Sequence, residues 1–247
     1  MIKKIIVFCL LILSAVNLVS IAIPQLKGRI NDYAGILTKQ EEKNLENILY
    51  TNELKTSSEI ALLIIPTLEG DNLESFAMKV VEKWKLGKDK QDNGALLLIV
   101  MDDRKVRLEV GNGLDPILTD IISGFIIRDY IVENFKSGDY YTGINYGLKA
   151  ITGIISEEFT IDPEELEKYR KSVEKNNKSN RISLVALLFV ISLIFGLFRG
   201  RRRGSIIPFI IFGSMRNRSG SGFSGGGFRR FSGGGGSFGG GGASGGW

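Results

Sequence analysis

Carboxylates crowd one stretch of this 247-residue chain. Between Gln91 and Asp120 they recur as Asp92, Asp102, Asp103, Asp115 and Asp120, where strands are expected to start, turn or stop. The chain has no histidine and one cysteine. Site chemistry must therefore come from oxygen ligands, which hard cations prefer, calcium first and magnesium second. Without histidine the commonest general base is missing, so a phosphatase would need metal-activated water held by carboxylates.

Asp92 stands before Asn93-Gly94 at the mouth of an apolar run, and Asp115 and Asp120 follow the next strand. In an α/β domain such loops can converge at one end of the sheet. Asp32 begins another loop and is expected to join them. Carboxylates meeting in one cleft need a cation, because unpaired like charges raise each other's pKa. The same residues also suit turn and cap chemistry: Asp-Asn-Gly is a common turn, and Asp120 fits the positive end of a helix. Asp102-Asp103 fits a hairpin turn better than a two-carboxylate site. Gly111-Asn112-Gly113 lacks the third glycine of a dinucleotide loop and the lysine of a P-loop. Arg104 and Arg107 could steady a phosphate, and read equally well as solvated strand residues.

The elements that must position these residues follow from periodicity and caps. Thr38-Lys39-Gln40-Glu41 is a capping box opening a helix with Leu45, Ile48 and Leu49 on one face. Ile60 to Ile65 reads as a buried strand ended by Pro66. Asp71-Asn72-Leu73-Glu74 starts a helix with Leu73, Phe76, Ala77, Val80, Val81 and Trp84 inward, stopping at Gly87. Trp84 is expected in the core. Ala95 to Met101 is the most apolar strand. Val106, Leu108 and Val110 then alternate with Lys105, Arg107 and Glu109, an antiparallel partner with one wetter face. A helix from Pro116 or Thr119 to Phe135 and another carrying Ile144, Leu148, Ile151 and Ile155 complete the order αβαββαα. That order predicts helices packed on a short mixed sheet.

Composition divides the chain further. Residues 1–22 have a basic start, an apolar run and small residues at Ser20 and Ala22, as in a cleaved signal peptide. Residues 23–160 are expected to be an extracytoplasmic domain and 161–181 a charged stalk. Residues 182–198 are apolar and as a helix would span about 25 Å, enough for a single membrane crossing with snorkelling flanks. Residues 199–218 are a basic and apolar flank. Residues 219–247 are about half glycine and are expected to stay disordered. The net charge of +5 hides an uneven distribution. From Ile23 to Glu167 there are 26 acids and 16 bases, and from Lys168 onward one acid and 14 bases. The acidic domain argues against nucleic acid, and the basic flanks suit anionic membrane lipid.

Several short motifs, in order, carry a resemblance. They are Asn31-Asp32-Tyr33-Ala34-Gly35-Ile36-Leu37, Trp84 with Gly87, Asp92-Asn93-Gly94, Asp103-Arg104-Lys105-Val106, Gly111-Asn112-Gly113-Leu114-Asp115, Leu118-Thr119-Asp120, and Phe135 to Gly143. Together they resemble the TPM-domain family. With a signal segment, a membrane helix and a glycine-rich tail, the layout is similar to YgcG-type bacterial membrane proteins. The resemblance implies an αβα sandwich with a small mixed central sheet. It implies calcium binding in some relatives and, in a plant thylakoid relative, acid phosphatase activity and a part in photosystem repair; other relatives are auxiliary membrane proteins. Asp115 stands where the family usually has Glu. Three readings follow: a calcium-binding module assisting an envelope or membrane protein complex, a low-specificity metal-dependent phosphatase, or a scaffold self-associating through the glycine–aromatic tail. Nothing in the sequence sets the oligomeric state.

Overall fold

The computed structural model describes residues 21–175 and 237–247. The signal segment through residue 20, the 182–198 span and the 199–218 flank lie outside the described residues. Among the described residues no helix is long and apolar enough to cross a membrane.

Five strands form one mixed sheet in the order β1-β2-β3-β4-β5. Strands β1 (Ile30–Asp32), β2 (Glu59–Ile65) and β3 (Gly94–Val100) run parallel, with Asp32 opposite Ile64 and Glu59 opposite Gly94. Strand β4 (Lys105–Gly111) returns antiparallel to β3 through the Asp102-Asp103-Arg104 turn. There Asp103 Oδ2 accepts hydrogen bonds from the Thr67 hydroxyl at 3.0 Å and the Leu68 N–H at 3.1 Å, so it braces the turn.

Helices cover both faces, giving the expected sandwich. Helix α1 (Lys39–Thr56) opens at the Thr38–Glu41 capping box. Helix α2 (Leu73–Trp84) opens at Asn72 and buries all six residues expected inward. It packs on Leu63, Leu96 and Leu98 of the sheet. Helix α3 begins at Asp120, capped by Thr119, and runs through three pieces: Asp120–Phe125, a π-helical stretch Ile126–Val132, and Glu133–Lys136. Helix α4 (Tyr140–Ile155) starts at Asp139. With α1 and α3 it seals the opposite face over Leu62, Leu97 and Leu108. Trp84 is buried, and its Nε1 donates to Pro24 O at 2.9 Å, as a core residue would. Residues 163–175 are helical; of the described residues, 167–175 fall in a second compact unit, whereas 237–247 belong to the first with the sheet.

Two expectations are corrected. Part of the glycine-rich stretch is ordered: Phe238–Gly246 forms β5, antiparallel to β4, and Trp247 continues it. Glycine carries no hydrophobic period, so composition alone reads this strand as disorder, whereas the sheet supplies its hydrogen-bond partners. The Arg107 and Glu109 face of β4 is also not wet. Arg107 is 7 % exposed and Glu109 0 %, because α2 and β5 close over them.

Candidate functional site

The four carboxylates expected to converge do not form one cluster. Asp32 ends β1 at the edge where β2 and β3 also end, whereas Asp92 precedes β3 at the opposite edge. Asp32 folds its own loop: Oδ1 accepts the N–H groups of Ala34 at 3.0 Å and Gly35 at 2.7 Å, and Oδ2 that of Leu37 at 2.9 Å. Parallel pairing of β1 separates it from the others. Among the described residues no three acidic side chains gather as a metal-holding group.

The remaining three carboxylates border β5. Asp92 Oδ1 accepts the Ser237 N–H just before the strand. Asp120 Oδ1 accepts the Gly242 N–H at 2.8 Å. Asp115 lies against Gly241 so closely that a Cβ there would stand 2.4 Å from Asp115 Oδ1. Burial, then the neighbouring Asp120 charge, push the Asp115 carboxyl above its ordinary value. Where the sequence offered oxygens to a cation, the structure brings two backbone N–H donors, one from Ser237 before β5 and one from Gly242 within it.

The loop Gly111-Asn112-Gly113 serves the same strand. Asn112 donates its N–H to Ser237 O at 3.0 Å and its Nδ2 to Ser237 Oγ at 3.0 Å. The glycines flanking Asn112 lie against the backbone of Gln91 and Asp92, where a Cβ at Gly113 would meet Gln91 O at 1.9 Å. Close backbone approach explains these glycines without a phosphate.

Under β5 lies a polar chain that the sequence did not single out. Arg107 Nε donates to Glu109 Oε2 at 2.7 Å, and its Nη1 to Ser244 Oγ at 3.1 Å. Ser244 Oγ in turn donates to Glu74 Oε1 at 2.9 Å. The other oxygen of Glu109 is buried without a hydrogen-bond partner. Burial pushes the Glu109 carboxyl up, Arg107 opposes this, and Glu74 and Asp115 add to it. Glu74 is held below its ordinary value, first by its own backbone N–H and against partial burial, then by Ser244 and Arg107. An open recess of about 530 Å³ beside Ser244 is lined by Asp71, Glu74 and Lys105.

On the other face of β5, Gly245 rests on α3, where a Cβ would lie 2.5 Å from Ile127 Cγ2. Gly242 has φ +121° and its Cβ would meet Leu108 O at 1.9 Å. Trp247 packs edge-on against Phe135 at 4.8 Å and Tyr140 at 6.2 Å between ring centroids, and donates its N–H to Arg104 O at 3.3 Å. A side chain of almost any size at 242 or 245 is excluded, while a serine at 244 and an aromatic ring at 247 are each met by partners. This edge can select one peptide strand by hydrogen bonding and shape.

A model of the TPM domain matches residues 30–154, about half of the chain and nearly all of the sandwich. The chain belongs to the TPM-domain family. Three solved structures are similar to it. The N-terminal domain of a protein from P. gingivalis is 32% identical, with 52% of this chain and 82% of that chain covered and a TM-score of 0.49. The BA42 protein from the psychrophilic bacterium Bizionia argentinensis is 21% identical, covering 54% and 90% with a TM-score of 0.44. The N-terminal domain of the cg2496 protein from Corynebacterium glutamicum is 11% identical, covering 58% and 91% with a TM-score of 0.43. No curated protein matches the chain. The matched part of this TPM domain ends before β5, so the strand is an addition to it along the chain. Two sequence signals mark the addition: the small-residue run Gly239 to Gly246, and the charged residues Arg107 and Glu109 on an otherwise apolar strand.

Proposed function

We propose that this TPM-domain chain is a membrane-attached, extracytoplasmic assembly module whose working surface is the outer edge of β4, a scaffold that associates through its glycine–aromatic segment. The observation that carries this reading is the seating of residues 238–246 on β4, with Ser244 held between Arg107 and Glu74. Strand addition to a sheet edge is a common mode of peptide recognition: backbone hydrogen bonds give affinity and side-chain pockets give selectivity. The basic and apolar composition of 182–203 supports attachment to a membrane carrying anionic lipid. A single crossing there would part β5 from β4 within one chain. Their pairing instead supports an arrangement with the domain and residues 237–247 on one side. The layout of YgcG-type membrane proteins agrees with an envelope location.

The test compares the full chain with a variant lacking residues 237–247, both in detergent. The deletion should lower the melting temperature and remove associated species in size measurements. Unchanged values of both would overturn the reading.

A divalent cation, calcium before magnesium, is the second reading, and what favours it is that Asp115 and Asp120 lie side by side against Gly241 and Gly242. Calcium usually takes six to eight oxygens, which this pair does not supply, and Asp92 and Asp120 already accept strand N–H groups. Calcium raising the melting temperature of the full chain, with the rise lost in Asp115→Asn, would support it; no shift with any divalent cation would remove it. The low-specificity metal-dependent phosphatase shares this dependence on a cation.

A further inference from the structure

We infer that a recess between α1 and α4 binds a small organic acid with an amide next to its carboxylate, the chemistry of an N-acylated amino acid or of the free end of a short peptide. The recess shares no lining residue with the β4–β5 edge, and the inference does not rest on the strand-accepting reading.

Helix α1 buries Leu45, Leu49 and Asn52 along one face. The third place of this helical stripe thus holds an amide where the first two hold leucine. Asn52 is 4 % exposed, and neither its Nδ2 nor its Oδ1 has a hydrogen-bond partner. Thr152 lines the same recess but turns its hydroxyl on its own helix, donating to Leu148 O at 2.8 Å and Lys149 O at 3.2 Å. A buried amide left without partners costs the fold stability, and sequences break such local rules chiefly at functional sites. The recess measures about 430 Å³, within the roughly 300–1,000 Å³ of ligand pockets and far above the roughly 30 Å³ of one water.

The partnerless amide narrows the ligand. An asparagine side chain offers donors and an acceptor side by side, and a second amide answers both. Its outer torsion is broad, so the group can turn to meet a ligand in the recess. Asn52 has already given up water on folding, so its bonds to a ligand are not offset by stripping water from it.

Charge narrows the ligand further. Lys55 and Lys149 border the recess from α1 and α4, with Glu158 beside them. Lys55 Nζ meets Glu158 Oε1 at 2.8 Å, and the two side chains are 51% and 62% exposed. So exposed a pair is weak, and a ligand carboxylate can take the place of Glu158. A metal cation would meet two ammonium groups. A phosphate would suit the lysines but set its oxygens against Asn52 Oδ1. A carboxylate joined to an amide suits both.

NMR titration of N-acetylalanine, observed on the ligand, with the full chain in detergent tests this. The chain should bind it, and should bind N-acetylalaninamide, which lacks the charge, and propionate, which lacks the amide, about tenfold more weakly. Asn52→Leu should weaken N-acetylalanine by about tenfold while the melting temperature holds or rises, which separates lost binding from lost folding. Lys149→Gln should also weaken it, and Glu158→Gln, by freeing Lys55, should tighten it. Tighter binding of acetyl-trialanine would assign the site to peptide ends, and equal binding to acylated amino acids. Absence of saturable N-acetylalanine binding would overturn the inference and leave Asn52 to water. Affinity unchanged in Asn52→Leu, or equal for N-acetylalaninamide, would overturn it as well. If the leucine variant fails to fold, unchanged affinity in both Lys149→Gln and Glu158→Gln would do the same.

Discussion

The backbone N–H of Gly242 meets Asp120 Oδ1 at 2.8 Å, so a carboxylate that the sequence offers to a cation is satisfied by a strand. A hydrogen bond to an ionised acceptor is worth about 1.5–3 kcal/mol, less where water competes. Asp120→Ala should therefore lower stability by about 1 kcal/mol, given the exposed setting. Asp120 also opens helix α3, where an acid favours the helix dipole. The measurement is a thermal-melt cycle combining Asp120→Ala with deletion of residues 237–247. A smaller loss in the deleted background assigns the difference to the strand, and equal losses in both would leave Asp120 as a helix-start residue alone.

Gly245→Val should undock the strand without disturbing the rest of the sandwich. The new methyl groups would enter the space of Ile127 Cγ2, 2.5 Å from the Cβ position, and overpacking of this kind costs about 1–3 kcal/mol. Trp247 would leave the Phe135 ring and enter water. In a Trp84→Phe background its emission should move to the red, matching that of a denatured sample. Blue-shifted emission in the valine variant would mean that the strand tolerates the bulk and that the glycine is not required.

Much of the sandwich was legible because its signals are local. Thr38, Asn72, Thr119 and Asp139 each accept a backbone N–H from three residues on, which short sequence windows reveal. The inward stripe of α2 and the fully buried β3 follow from period and apolarity. What failed depends on distant partners. Arg107 and Glu109 read as solvated because nothing local says that β5 and α2 cover them. Asp32 was expected beside Asp92 because strand polarity sets which loops share an end, and the short β1 gives little sign of its direction. Strand β5 is hidden in the sequence because its specificity lies in what its glycines leave empty.

Asp115 gives a pH signature of known sign. Its folded carboxyl is raised above the ordinary 3.8 by burial and by Asp120. A raised acid adds stability fully below its unfolded pKa and loses it as pH rises through the folded value. Asp115→Asn removes that loss, so the variant should gain on the parent as pH rises from about 4 to 7. Glu74 and Asp71, both lowered, act with the opposite sign but are common to both proteins. Melting temperatures across the range give the difference curve; a flat curve would show that Asp115 titrates normally.

Asn52 is 4 % exposed, and neither its Nδ2 nor its Oδ1 has a hydrogen-bond partner. It lines a recess of about 430 Å³ with Lys55, Thr152 and Glu158. Leaving such a group unsatisfied costs about 1–3 kcal/mol, and an apolar side chain of similar shape avoids that cost. Asn52→Leu should raise the melting temperature by a few degrees, at about 2–4 °C per kcal/mol for a chain of this size. A drop comparable to a core truncation would show instead that the amide is engaged in the recess.

The membrane attachment proposed above carries a consequence for the pairing of β4 with β5. Strands exchange hydrogen bonds only within one compartment, so the domain and residues 237–247 must share a side. Residues 182–198 alone, crossing once, would separate them. Lys90 and Ser237 are both exposed and give labelling sites on the domain and the segment. With Cys9→Ser, Lys90→Cys and Ser237→Cys should react equally with a membrane-impermeant maleimide in intact cells. Labelling of one only after lysis would place them in different compartments, and β5 would then need another strand as its partner.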